Sequence, residues 1–549
     1  MPYEMKNLKG DLSGGLVAGV IALPLALAFG VQSGMGAAAG LYGAIAVGIF
    51  AAWLGGTPTQ ASGPTGPMTV VAASIVVYAT ARAGSVEEGL GIVLMSFFAG
   101  GLFQLGLGLL GIGKYVKYFP YPVVSGFMSG VGLIIVCLQL WPLLGSSSPK
   151  STFEVVSRIQ EPLSAINWSA VFLGGLTLAI NYLVPLVTKA VPSVLVALIA
   201  GTGVAVTAGL GVPTVGDIPT GFPDLRVNVF MNIDPSDYAF IVESGLTLAL
   251  LGSIDSLLTS VIADNITKTQ HNSRRELIGQ GIGNMIAACF GGIPGAGATK
   301  GTVVNINAGA RTRLSGIVHG LLLLAMLLGA GAFVSYIPLS VLAGLLISVG
   351  VAIIDRKGLR HLLHVPRADA LVMMVVLVWT VFGNLIYAVA AGVVLASVLF
   401  MKTASDLEEE RSSVENIGRL PAEEPWPDES DLSQKHEGEV FVTHLHGPLF
   451  FGFTSGYRAL ASQLSSKTRV LIIRMERVPY MDQSGMYALE DTVLDLHAKG
   501  ATVLLIGIQD QPLDMLRRIY LVPDLVPEDQ LFYDMAACMA WLAKHYVAK

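Results

Sequence analysis

Gly63-Pro64-Thr65-Gly66-Pro67-Met68-Thr69-Val70-Val71 and Gly295-Ala296-Gly297-Ala298-Thr299-Lys300-Gly301-Thr302-Val303-Val304 lie in opposite halves of a very apolar chain. Each is a run of Gly, Ala, Pro and Thr that ends in Thr-Val-Val and opens a short hydrophobic segment. Such a composition interrupts a membrane helix. Matching interruptions in two halves of a membrane protein point to a transporter's substrate site. The alternative is that these are ordinary kinks, since Gly, Pro and Thr also break membrane helices that bind nothing.

Of the 549 residues, 53% are hydrophobic and 13% charged. A soluble domain carries roughly 25% charged residues, so the chain is read as an integral membrane protein. The net charge of −6 is modest and the basic residues form no patch, so a nucleic-acid partner has no support. Cys137, Cys289 and Cys538 are far apart and match no metal or redox spacing. The first apolar stretch lacks a convincing cleavage site and reads as a membrane helix, not a signal peptide.

Apolar stretches of spanning or half-spanning length recur from about Leu12 to Met401. Fourteen are expected, centred near Ala22, Ile45, Ala73, Phe98, Val131, Leu176, Leu198, Leu250, Met285, Asn305, Leu323, Leu346, Val375 and Ala391. The third and tenth look too short to cross alone. Loops assigned to the inside hold Lys114, Lys117, Lys189, Lys268, Arg274, Arg275, Arg311, Arg313, Arg356, Lys357, Arg360 and Arg367, flanked by Lys6, Lys9 and Lys402. Loops assigned to the outside hold Arg82, Lys150, Arg158 and Arg226. This bias places both termini in the cytoplasm. Seven spans in each half force the second half to run inverted, so the two Thr-Val-Val segments approach from opposite faces.

From Thr403 to Lys435 the composition turns acidic and polar, as in a solvated linker. Beyond it, strands are expected at 440–444, 470–473 and 502–507, with helices at 484–499 and 535–545. The expected fold is therefore an α-helical polytopic membrane protein with two half-helices, followed by a small cytoplasmic α/β domain. The divisions are 1–402 for the membrane domain, 403–435 for the linker and 436–549 for the α/β domain.

The chemistry follows from the broken helices. A helix that starts inside a membrane leaves backbone N–H groups without partners, and its N-terminus carries about half a positive charge. Two such ends facing each other make an anion site without Arg or Lys. The hydroxyls of Thr65, Thr299 and Thr302 can donate to an oxyanion or coordinate a cation. Asp255 lies inside an apolar span, with Thr259 one turn on and on the same face. A carboxylate there costs at least about 2.5–3.5 kcal/mol, so it is either a protonated structural group or a cation ligand. An ionised Asp255 would repel a bound anion, so a proton or a metal cation must accompany the cargo. Thr259, Thr299 and the Gly297 carbonyl are hard oxygen ligands that suit Na⁺. Lys300 offers a different solution: it neutralises Asp255 or the anion directly and makes the carrier an exchanger, or it snorkels to the aqueous edge. His271 is the one histidine placed near the path and reads as a loop residue. No metal-hydrolase spacing, nucleophile elbow or P-loop occurs, which argues against an enzyme or an ATP-driven pump.

Gly55-Gly-Thr-Pro-Thr59 with Ser62-Gly-Pro-Thr-Gly-Pro-Met-Thr-Val-Val71 resembles the third-span signature of SulP anion transporters. So do His271-Asn-Ser with Glu276-Leu-Ile-Gly-Gln-Gly-Ile-Gly-Asn284, and Gly291-Gly-Ile-Pro-Gly-Ala-Gly-Ala-Thr299. Met481-Asp-Gln-Ser-Gly485 is similar to a STAS domain. Within SulP, the Pro64-to-Val71 string and Ile254-Asp-Ser-Leu-Leu-Thr-Ser260 are closest to sodium-dependent bicarbonate transporters of cyanobacterial type. The resemblance implies bicarbonate at Thr65 and Ala298, and Na⁺ at Asp255, Thr259, Gly297 and Thr299. It implies Gly301 where many relatives carry Arg, a homodimer, a bacterial plasma membrane, and Ser484 as a possible phosphorylation site, against a simple capping role for Asp482 or Ser484. Lys300 departs from the bicarbonate group. Sulfate or dicarboxylate transport by H⁺ symport or exchange stays open, as does a membrane scaffold whose working part is the STAS domain.

Overall fold

The computed structural model describes residues 7–114, 120–149, 151–188, 191–216, 221–231, 233–362, 364–383, 385–411, 413–416, 439–450 and 468–545. Lys6, Lys117, Lys150 and Lys189, and residues 417–435 of the expected linker, lie outside this set. The chain divides into two units, residues 1–396 and 397–549.

In the first unit the apolar stretches fold into α1 (Leu8–Gln32), α2 (Ala37–Leu54), α3 (Gly66–Ala83), α4 (Leu90–Leu109), α5 (Tyr121–Leu143), two short helices α6 (Thr152–Ser157) and α7 (Gln160–Ser164), α8 (Trp168–Val187) and α9 (Ser193–Thr207). The second half repeats the order with α10 (Tyr238–Thr267), α11 (Ser273–Cys289), α12 (Thr299–Asn307), α13 (Arg313–Val334), α14 (Leu339–Ile353), the short α15 (Arg356–Arg360), α16 (Arg367–Phe382) and α17 (Leu385–Arg411). A two-residue strand precedes the third helix of each half: β1 (Ser62–Gly63) before α3, and β2 (Ala296–Gly297) before α12.

Each of the fourteen expected centres falls inside one of these helices. By length and composition, eight helices among the described residues qualify as membrane spans. The expected count is not reached on that criterion. Length is one reason, since α9 and α14 have 15 residues each and α16 has 16. Polarity is another, in the 17-residue α11, which carries Arg274, Arg275, Glu276, Gln280 and Asn284 and packs against α2 and α4. A helix enclosed by other helices need not be apolar, because protein partners meet its polar groups. The third segment also corrects an expectation. At 18 residues α3 is long enough to cross, since the hydroxyls of Ser74 and Thr80 bond back to the carbonyls of Val71 and Val76 at 2.7 Å each and add no unmet polar group. Of the third and tenth segments, α12, with 9 residues, is the one too short to cross.

The helices sort into two bundles. In one, α11 packs against α2 and α4, and α13 against α1 and α2, with α10 against α4. In the other, α5 packs against α14 and α16, and α8 against α9 and α14.

The second unit contains a five-stranded sheet in the order β3 (Ser413–Asn416), β4 (Val440–His446), β5 (Val470–Arg477), β6 (Thr502–Ile506) and β7 (Leu531–Phe532). The pairs from β4 to β7 are parallel, and β3 runs antiparallel to β4. Parallel strands need covering on both faces, which explains the unbroken apolar run Val470-Leu471-Ile472-Ile473. Leu471 and Ile473 pack with Leu489 and Val493 of α18 (Gln483–Ala498) and Leu516 of α19 (Asp510–Arg518). Val470 and Ile472 pack on the other face with Cys538 and Leu542 of α20 (Met535–His545). The linker expected from Thr403 begins differently. α17 runs on to Arg411, helped by a Lys402–Asp406 pair one turn apart at 2.9 Å, and residues 413–416 join the sheet.

Candidate substrate site

The two interrupted stretches meet. β1 and β2 pair antiparallel, with Ser62 opposite Gly297 and Gly63 opposite Ala296. Glycine at 295 is dictated by this approach, because a Cβ there would collide with the Gly63 backbone. Asn284 clamps the same residue, donating from Nδ2 to the Gly295 carbonyl at 3.0 Å and accepting from its N–H at 2.8 Å.

Each strand leads into a helix whose start is left uncapped by any side chain. Thr65 is the N-cap residue of α3 and Ala298 that of α12. The first-turn N–H groups are those an α-helix cannot use internally. In α3 they belong to Gly66 and Met68, Pro67 having none; in α12 they belong to Thr299, Lys300 and Gly301. Both helix starts line one cavity of about 280 Å³, together with parts of α1, α10, α13 and α14 and Met128 of α5. The cavity thus lies at the seam between the two bundles.

Asp255 lines this cavity, and its Oδ2 is buried without a hydrogen-bond partner among the described residues. The Thr65 hydroxyl is in the same condition. One turn beyond Asp255, Thr259 donates to the Gly297 carbonyl at 2.9 Å and lies 2.7 Å from the Thr299 hydroxyl. Thr259, Gly297 and Thr299 are therefore brought together as a cluster of oxygens at the start of α12, and Asp255 shares the cavity wall with Gly297 and Thr299. Thr299, Gly301 and Ala298 also line the cavity, although the Ala298 N–H is already spent on the Ala61 carbonyl at 2.8 Å.

Thr302 departs from its expected role. Its hydroxyl accepts from the Ala61 N–H at 3.1 Å and faces the Ala61 carbonyl at 3.3 Å. It is fully buried behind the cavity wall, where it fixes the approach to β1. Lys300 lines the cavity without an ion pair to Asp255, and also lines an adjoining space of about 800 Å³ bounded by α8, α9 and Arg356. Ser484 lies in the first turn of α18, whose cap is Asp482, accepting from the Gly485 N–H at 2.8 Å.

Two features escaped the sequence reading. His271 is a loop residue as expected, 2.7 Å from the Asp264 carboxylate. A different histidine, His319 of α13, lines the cavity. Its signal was present, as an ionisable residue inside the apolar run Ile317-Val-His-Gly-Leu-Leu. The second is a polar lattice behind β1. Glu276 accepts from the N–H groups of Gly56 and Thr57 at 2.8 Å each, and from the amides of Gln60 and Gln280 at 2.9 Å each. Tertiary pairing of this kind leaves no mark in a single sequence.

Residues 8–376 match the sulfate permease family and residues 432–535 the STAS domain. The chain belongs to the sulfate permease family. It is 41% identical over 536 residues to the bicarbonate transporter BicA of Picosynechococcus, covering 95% of this chain and 93% of the relative. The BicA of Synechocystis is 40% identical over 97% of this chain and 94% of its own length. YvdB of Bacillus subtilis, named as a sulfate transporter, is 31% identical over 89% of each chain. Among solved structures, the transmembrane domain of a cyanobacterial BicA superposes with a TM-score of 0.65 at 44% identity, covering 72% of this chain and 98% of that one. Murine solute carrier 26 family member A9 shares the fold, with a TM-score of 0.84 at 19% identity over 99% of this chain and 93% of its own.

Proposed function

We propose that this protein is a secondary transporter of a small inorganic oxyanion, and that its cargo is bicarbonate moved together with Na⁺. The observation that carries the reading is one cavity walled by two uncapped helix starts and by an Asp255 oxygen with no partner. The helix starts attract an anion. The carboxylate opposes it by roughly 4 kcal/mol at 4 Å for an effective dielectric near 20, unless a cation stands between them. Thr259, Thr299 and the Gly297 carbonyl supply further hard oxygens beside Asp255, a set that suits Na⁺. Among the described residues no arginine lines the cavity, which favours a compact monovalent anion, and the two relatives at 40–41% identity are named as bicarbonate transporters.

In this reading Thr65 and the first turns of α3 and α12 hold bicarbonate. Sodium neutralises Asp255, and the two bundles move against each other to expose the cavity to either side of a bacterial plasma membrane. The working form is a homodimer with both termini in the cytoplasm. Lys300 favours a second reading, because a lysine at the cavity supplies charge for a divalent anion such as sulfate, or replaces sodium.

Uptake of labelled bicarbonate into proteoliposomes, with and without an inward sodium gradient, separates them. Sodium-dependent uptake that sulfate, formate and fumarate inhibit weakly is the expected result. Equal uptake in both conditions would remove the coupling, and faster sulfate uptake would establish the second reading.

A further inference from the structure

The walls of the cavity are rich in donors: first-turn N–H groups of two helices and the Thr65 hydroxyl. Bicarbonate needs something else as well. One of its oxygens carries a hydrogen, and a site that offers only donors leaves that O–H unmet. His319 meets this need. The side chain lines the cavity and is 2% exposed. Nδ1 is buried without a partner, and neither ring nitrogen makes a hydrogen bond to any described residue. The ring is held by packing instead: a Cβ built on Gly48 of α2 would lie 3.2 Å from Nδ1 and 3.3 Å from Cε1.

A histidine kept merely as part of a core satisfies its nitrogens, because a buried polar group without a partner is costly. A neutral imidazole presents one N–H donor and one acceptor lone pair, and here the protein engages neither. The two nitrogens diverge across the ring, so one small ligand meets only one of them, and the complement of an acceptor nitrogen is an O–H. We infer that His319 is a specificity-determining contact of the transported anion, with its acceptor nitrogen receiving the O–H of a hydrogen-bearing oxyanion. The inference rests on the anion-cavity reading above and adds the feature that separates bicarbonate from planar or tetrahedral anions lacking a hydrogen. Asp255 also accepts, but a cation at the Thr259–Thr299 cluster engages its oxygens, whereas His319 enters from α13 and stays available.

Nitrate is the discriminating probe: trigonal, monovalent and close in size to bicarbonate, but with no O–H. Competition by nitrate against labelled bicarbonate uptake is measured for the full-length protein in proteoliposomes. Wild type is expected to prefer bicarbonate by about tenfold to a hundredfold, the range of one hydrogen bond to a charged partner. His319→Phe keeps the ring shape without an acceptor and is expected to bring the ratio to within about twofold of unity, whereas His319→Gln, whose amide oxygen accepts, retains most of the preference. An unchanged ratio in His319→Phe overturns the inference, and so does an equal loss in both variants. Should His319→Gln not fold, wild type decides: competition by nitrate equal to that by unlabelled bicarbonate overturns the inference. Absence of bicarbonate uptake by wild type would instead sink the proposed function, and this inference with it.

Discussion

Asp255 and Glu276 are two carboxylates in the same half of the membrane unit, and the protein treats them in opposite ways. Glu276 receives two donors on each oxygen, from the 56–60 stretch that leads to β1 and from its own helix. Asp255 faces a cavity with one oxygen unmet. An enclosed charge that the protein satisfies completely is a fastening. One left unsatisfied marks a place where something else must come. The contrast separates scaffold from site more sharply than burial does.

Glu276→Ala tests the fastening and should have the largest effect. Four donors lose their acceptor at once, each at about 1–3 kcal/mol. Little folded protein is expected on size exclusion, and a normal melting midpoint would erase the distinction. Asp255→Asn tests the site. Sodium-driven uptake should drop by about tenfold to a hundredfold, with a melting midpoint at or above that of the parent because no hydrogen bond to Oδ2 is lost.

Gly295→Ala sharpens the comparison at the junction of the two halves. Its methyl group collides with the Gly63 backbone, and such overpacking costs about 1–3 kcal/mol, read as a lower melting midpoint with uptake reduced in step. Lys300→Met should matter less, lowering uptake by about threefold through lost attraction. Sodium dependence should persist, and its disappearance would transfer the balancing role from the cation to the lysine.

The smallest effect lies in the second unit. Burial pushes the Cys538 thiol up to about 12 from an ordinary 9.0. A raised value means that the folded state holds the proton. This contribution to stability is complete below about pH 9 and is lost between about 9 and 12. A thiol reagent at pH 8 should leave Cys538 unmodified until the protein unfolds.

The sequence carried the membrane helices well, because apolar stretches of the right length report on one residue after another. The broken stretches at 63–71 and 295–304 were equally legible, since Gly, Pro and Thr there have few other reasons to cluster. Thr302 was misread for a definite cause. From sequence its hydroxyl looks the same as that of Thr299, and only the pairing of β1 with β2 turns it toward Ala61. α19 and β7 were missed because Asp510–Arg518 is short and polar and Leu531–Phe532 has only two residues. The Glu276 lattice joins residues more than 200 positions apart, which no local pattern records.

The short pairing of Ser62–Gly63 with Ala296–Gly297 has a mechanical consequence. Stitched backbone to backbone, the two helix starts are held to move as one, so on the proposed reading a passenger is not let on or off by parting them. On that reading admission falls to the opposite wall, where Met128, Val349, Ala352 and Ile353 present hydrocarbon. Discrimination then resides in a stiff cradle, while the part that gives way is greasy and indifferent to what it releases.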